Sequence, residues 1–65
     1  MKLIVNGSPL EIEADDLSGA LAALDYGDAV VATAVNGAFV PATARAARGL
    51  KDGDRIEIVA PRQGG

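Results

Sequence analysis

The chemistry open to this chain is concentrated at its end, in the closing run APRQGG, whose last two residues are Gly64 and Gly65. Elsewhere the inventory is thin. The chain has no cysteine and no histidine, and Ser8 and Ser18 are its only serines. A nucleophile paired with a base cannot be assembled from that set, and a structural zinc site has neither thiolate nor imidazole to hold it. The carboxylates could act as acids or bases in principle, but most fall where a solvated face is expected. The expectation is a protein that is not itself an enzyme and binds no cofactor or metal. If it carries a reactive group, that group is the terminal carboxylate. Glycine suits this role physically: with no Cβ, the backbone passes a channel too narrow for a side chain, and nothing shields the carboxylate. An incidental frayed end is the alternative, because termini are commonly disordered.

What must position such an end is a small domain. With 65 residues the chain forms one unit near the lower limit for a fold held by core packing alone. No disulfide can staple it, so stability must come from apolar burial. The hydrophobic fraction of 49% supplies the material, nearly all aliphatic, with Phe39 and Tyr26 the only aromatics. The opening MKLIV, NGS and PLEIE predict a β-hairpin turned at Asn6-Gly7, where positive φ angles are needed. Leu3 and Val5 should share one face of the first strand. Leu10 and Ile12 should share a face of the second, opposite Glu11 and Glu13.

The run DDLSGALAALDYGD predicts a helix capped by Asp15 or Asp16, with Leu17, Leu21 and Leu24 forming one apolar stripe. Ala20 and Ala23 are small enough to let it lie close on a sheet. Gly19 weakens its first turn, and Gly27 is placed to end it in a left-handed conformation. AVVATAV, nearly all apolar, predicts a strand buried on both sides. A second Asn-Gly turn at 36–37 leads into a short strand AFV, closed by Pro41. ATARAARGL predicts a turn of helix with Leu50 as anchor. Asp52-Gly53 marks a third turn, and DRIEIVA a last strand with Ile56 and Ile58 on one side and Arg55, Glu57 and Val59 on the other. Pro61 lacks an amide hydrogen and stops the ladder there. The order β, β, α, β, β, β with one crossing helix is that of an α+β β-grasp fold: residues 1–60 the domain, residues 61–65 a flexible Gly-Gly tail. Extended, the six residues of the closing APRQGG reach roughly 20 Å.

Charge narrows the partners. Six basic and nine acidic residues give a net charge of −3, and the basic ones are scattered, which argues against a nucleic-acid module. No stretch approaches the roughly 18 apolar residues of a membrane span, and MKLIVNG is too short a run for a signal peptide. The expected setting is the cytoplasm, with no membrane partner.

The β-grasp pattern, the size and the Gly-Gly end together resemble ubiquitin and its bacterial sulfur-carrier relatives. Within that group the chain is similar to the ThiS family of thiamine-biosynthesis sulfur carriers. The likeness is carried by MKLIVNG, AVNGAFVP and LKDGDRIEIVAPRQGG and spans essentially the whole chain. It departs at Ala38, where relatives often carry an acidic residue. The resemblance implies a protein co-substrate. A ThiF-like adenylating enzyme would use ATP and magnesium to activate the carboxylate of Gly65. A persulfide, supplied through a cysteine desulfurase, would convert it to a thiocarboxylate. A ThiG-like thiazole synthase would then take the sulfur. Gly64 would permit threading, and Pro61, Arg62 and Gln63 would form the neck. Arg62 either pairs with an acidic channel mouth or is a solvated charge.

Such a carrier must also dock. In a β-grasp sheet the face away from the helix is open, and apolar residues there would form a partner patch. Ile4 and Val59 are candidates by alternation, since Val5 and Ile58 point inward; Phe39 is a third. Three alternatives stay open from sequence: a carrier like the small subunit of molybdopterin synthase, which shares the Asp-Gly-Asp and Gly-Gly features; a ubiquitin-like modifier joined to target lysines; and an interaction module whose Gly-Gly is incidental.

Overall fold

The computed structural model describes residues 1–27 and 29–60. Strands β1 (Lys2–Val5) and β2 (Ser8–Glu11) form an antiparallel hairpin. Helix α1 (Leu17–Ala23) follows, then the hairpin of β3 (Ala32–Val35) and β4 (Ala38–Val40). A 3-10 segment, Ala42–Ala47, leads to β5 (Arg55–Val59). The five strands form one mixed sheet in the order β2-β1-β5-β3-β4. The last strand is therefore the central one, parallel to β1 and antiparallel to β3. With α1 packed across one face this is the expected β-grasp fold.

Both hairpins turn on Asn-Gly. Asn6 and Gly7 have φ of 48° and 86°, and Asn36 and Gly37 repeat them at 51° and 85°. Two consecutive positive φ values match the right-handed twist of the flanking strands. Glycine takes them at little cost, and asparagine is among the few other residues that tolerate them.

The core lies between sheet and helix. Leu3, Val5, Val35, Ile56 and Ile58 from the sheet meet Leu17, Ala20 and Leu21 from α1. The odd–even alternation expected for β5 holds: Ile56 and Ile58 are buried, while Arg55, Glu57 and Val59 are exposed. The helix stripe holds too, with Leu17 and Leu21 buried and Leu24 half-buried, whereas Ala23 is exposed and only Ala20 provides the close approach. Ile12 is buried just past β2, but Leu10, paired with Leu3 on the edge strand, stays 39% exposed.

Two expectations are corrected. First, the helix is shorter than its apolar pattern. Asp16 caps it, its carboxylate accepting from the Gly19 amide at 2.8 Å, and Asp25, not Gly27, ends it. Asp25 adopts a φ of 67°, while the amides of Asp25 and Tyr26 donate to the carbonyls of Ala22 and Leu21. That hydrogen-bond pair is the Schellman C-cap. It falls two residues before the available glycine and sets Tyr26 against the core just beyond the turn.

Second, the AVVATAV run is not buried on both sides. Thr33 and Val35 are buried, but Val30 is 78% exposed and Ala32 faces solvent. Its second face is open. The turn of helix expected at ATARAA is a 3-10 segment, and it is tied down by a side chain. Arg45 donates from Nη2 to the Val31 carbonyl at 2.6 Å and from Nε to Thr33 Oγ1 at 3.0 Å. The Thr33 hydroxyl itself donates to the Val40 carbonyl at 2.8 Å, so the buried threonine is fully satisfied. Leu50 packs half-buried against the core as its anchor.

The start of β5 is fixed by the Asp52-Gly53-Asp54 turn. Gly53, at φ 92°, donates its amide to the Lys2 carbonyl at 2.7 Å. Asp54 is buried; its carboxylate accepts from the Asn36 amide group at 3.0 Å and from the Lys51 backbone at 2.9 Å. Those donors hold the Asp54 carboxyl below its usual value of 3.8, the Asn36 bond contributing most. Asn36 Oδ1 in turn accepts from the Arg55 amide at 2.9 Å.

Candidate functional site

The domain delivers its C-terminal end from the middle of the sheet. β5 is flanked on both sides, and Val59 is still in register with Ala32 of β3. On the β1 side the backbone ladder stops sooner, at Val5 opposite Ile56. Beyond that point β1 has turned away, and the Asn6 side chain replaces it. Its Oδ1 accepts from the Ile58 amide at 2.8 Å, and its Nδ2 donates to the Ile58 carbonyl at 3.2 Å. The Asn6 backbone amide adds a bond to the Ile56 carbonyl at 2.9 Å. The carboxamide thus acts as one more strand residue and holds β5 almost to its end.

The face opposite α1 is open. Cross-strand register places Phe39 beside Ala34 and Val59 beside Ala32. Phe39 is 69% exposed and Val59 64%. Four apolar residues with small alanines between two large side chains therefore form one patch at the tail end of β5. Phe39 also walls a shallow groove of about 310 Å³ with Pro41, Ala44 and Ala47. Ile4 lies on the same face but elsewhere: it is half-buried and opposite Arg55 and Pro9. Arg55 is four residues back along β5 from Val59, about 13 Å at strand rise, and Glu57 intervenes. Phe39 and Val59 thus lie on one face on either side of β3, with Glu57 opposite Ala34 at the edge of the patch, and Arg55 and Glu57 set Ile4 apart from them.

Pro61, Arg62, Gln63, Gly64 and Gly65 lie outside the described residues. Among the described residues no group of three or more carboxylates, histidines or cysteines is arranged to hold a metal ion. No helix there is long and apolar enough to cross a membrane. Sequence reading assigned Asn6 only to a turn. The signal that could have found its second role is the repetition of Val-Asn-Gly at 5–7 and 35–37, since two turns that both keep asparagine where other turn residues would serve suggest a use for the side chain.

With this geometry in place, comparison with known proteins is informative. No curated protein matches the chain. Among solved structures, it is similar to the crystal structure of the thiamine biosynthesis protein ThiS from Geobacter metallireducens. The match has 33% sequence identity, covers 100% of both chains and has a TM-score of 0.82. The model of the ThiS family matches residues 3–65. The β-grasp sheet, its open apolar face and a match that runs through both terminal glycines agree, and the chain belongs to the ThiS family.

Proposed function

We propose that this chain is a sulfur carrier of thiamine biosynthesis, with the carboxylate of Gly65 as the group that carries sulfur. The observation that supports this most directly is the family match, which extends through Gly64 and Gly65. The absence of cysteine from the sequence fits it, because such a chain has no thiol on which to hold sulfur. An oxygen of the Gly65 carboxylate attacks the α-phosphorus of ATP in the active site of a ThiF-like adenylating enzyme, and pyrophosphate leaves. ATP and magnesium belong to that enzyme. The acyl-adenylate is an activated electrophile, because AMP departs far more readily than an oxide. A persulfide derived from a cysteine desulfurase attacks the acyl carbon, and AMP leaves. A thiol then cleaves the sulfur–sulfur bond, which leaves a thiocarboxylate on Gly65 and a disulfide on the donor. A ThiG-like thiazole synthase consumes the sulfur. All these steps take place in the cytoplasm.

This chain contributes presentation. The apolar patch of Phe39 and Val59 docks on the partner, with Ile4 as a separate contact, and residues 61–65 extend from the docked domain. From Val59 to Gly65 six residues span at most about 20 Å, which sets an upper limit on how far the partner's α-phosphate can lie from the docked Val59. Gly64 passes the narrowest point, behind Pro61, Arg62 and Gln63.

The test is intact-mass measurement of the full chain after incubation with ATP, magnesium, the adenylating enzyme and a sulfur donor. The expected result is a gain equal to the mass difference between sulfur and oxygen, lost when Gly65 is deleted. A ladder of heavier conjugates would identify a protein modifier instead, and no change would remove the carrier reading. Sulfur passed to a molybdopterin precursor rather than to the thiazole would redirect the pathway. Gly64→Ala should lower adenylation on the order of 100-fold, since a small misplacement at a reacting centre has that effect, while Gln63→Ala should change it little.

A further inference from the structure

We infer that Asn6 is a positioning residue for the C-terminal carboxylate: its side chain fixes the root from which residues 61–65 leave the domain. This rests on the carrier reading above and adds a residue to it. In a strand, the amide and carbonyl of one residue point to the same side. Those of Ile58 point toward β1, where the backbone pairing has already ended at Ile56. The partners they find are the two ends of one carboxamide, Asn6 Oδ1 at 2.8 Å and Nδ2 at 3.2 Å. Ile58 is two residues before the last described position, Ala60. Its other neighbour, β3, continues alongside as far as Ala32 opposite Val59. The end of β5 is thus gripped from both sides to within a residue of where the strand stops. A strand released on one side would let the root swing in the plane of the sheet, and with it the point from which the carboxylate must reach the partner's active site. The docking patch would keep its arrangement, because Phe39, Ala34 and Ala32 lie on the β3–β4 side and Val59 stays paired with Ala32.

The molecule contains its own control. Asn36 stands at the equivalent turn with nearly the same φ and makes two side-chain bonds at the opposite end of the strand, to Arg55 of β5 and to Asp54 just before it. Asn6→Gly and Asn36→Gly both keep a residue suited to positive φ, and each removes one asparagine clamp from β5. A role confined to fold stability would affect adenylation alike in both.

The experiment is steady-state ATP–pyrophosphate exchange by the adenylating enzyme with the full chain, as wild type, Asn6→Gly and Asn36→Gly, under conditions where circular dichroism shows each chain folded. Asn6→Gly should lower kcat roughly 10–100-fold with KM for the carrier within about twofold of wild type, the pattern of a docked but misdirected reacting group. Asn36→Gly should keep the wild-type kcat. Equal losses in both variants, or an unchanged kcat in Asn6→Gly, would overturn the inference while leaving the carrier reading intact. No exchange by the wild-type chain would overturn both. If Asn6→Gly does not fold, Asn6→Asp decides, since it keeps an acceptor for the Ile58 amide and sets an oxygen against the Ile58 carbonyl: its kcat should fall, and a wild-type value overturns the inference. Amide hydrogen exchange of the wild-type chain gives an independent reading. Ile58 should be protected far more than Ala60, and equal exchange at the two positions would show that the clamp does not hold.

Discussion

Phe39 and Val59 offer the clearest separation of docking from folding. Each projects from the sheet face that α1 does not cover, with 69% and 64% of its surface exposed. Fully burying such a side chain stabilises by about 1.5–3 kcal/mol. Roughly a third of that is already realised in the free domain, so a docked partner can gain about 1–2 kcal/mol from each. Truncation to alanine should therefore raise KM for the adenylating enzyme about 5–30-fold per site. The effect of the pair should fall short of the sum if both side chains enter one recess. Domain stability should change by about 1 kcal/mol or less, the range of strand propensity at exposed positions. The assay is ATP–pyrophosphate exchange across carrier concentrations, beside urea unfolding of the same preparations. KM values within about twofold of wild type for both variants, in chains of unaltered stability, would refute the docking face. Ile4→Ala should have the smaller effect on KM, since Ile4 is half-buried and lies apart from the other two.

Ile56, 1% exposed and in register with both Val5 and Val35, should cost about 2–5 kcal/mol on change to alanine. That is a large share of the about 3–10 kcal/mol available to a chain of this length. Leu21→Ala should behave similarly, and a measured loss under about 0.5 kcal/mol would displace either residue from the core. Asp54 has a folded pKa below its unfolded one, so the stability it contributes is present above about pH 4 and is lost as pH falls through the lower, folded value. Urea midpoints taken from neutral pH into that acid window should fall more steeply for wild type than for Asp54→Asn; parallel curves would count against the buried-carboxylate account. Asp25→Gly should stabilise the domain by about 0.5–1.5 kcal/mol, because it relieves a left-handed non-glycine residue and removes a negative charge from a helix C-terminus. The melting temperature should rise by about 4–8 °C per kcal/mol; no rise would mean that the aspartate is unstrained at its φ of 67°.

Much of this architecture is legible in the sequence because its signals are local. Two Asn-Gly pairs announce the hairpins, since few other dipeptides accept two positive φ values in succession. The alternation of Arg55 through Val59 gives the buried face of β5 directly. The end of α1 is not legible in the same way. Gly27 is the better left-handed residue by intrinsic preference, yet the chain turns at Asp25 and sets Tyr26 against the core just beyond it, a contact that no local pattern announces. The Asn6 clamp is hidden for a related reason: sequence shows a turn residue, and only the parallel pairing of β1 with β5 brings its carboxamide beside Ile58, 52 positions away.

The misreading of AVVATAV has a different origin. A run of apolar residues normally signals burial on both faces of a strand, and the premise is that apolar surface is hidden in the free protein. Here Ala32 and Ala34 are apolar and one face of β3 is open. They lie between Phe39 and Val59, on the face where the carrier reading requires another protein to sit. On that reading the run is apolar on both faces because one is covered by the fold and the other would be covered by a docked partner, and the sequence does not mark which is which. Small residues on that face serve docking better than large ones. Alanine leaves the strand flat enough for Phe39 and Val59 to stand out as knobs, and it limits the apolar area that the free domain exposes to water. The strand that defeats the simple burial rule is thus the one that borders the root of the tail. On the carrier reading, its apolar second face is the surface that a docked partner would cover.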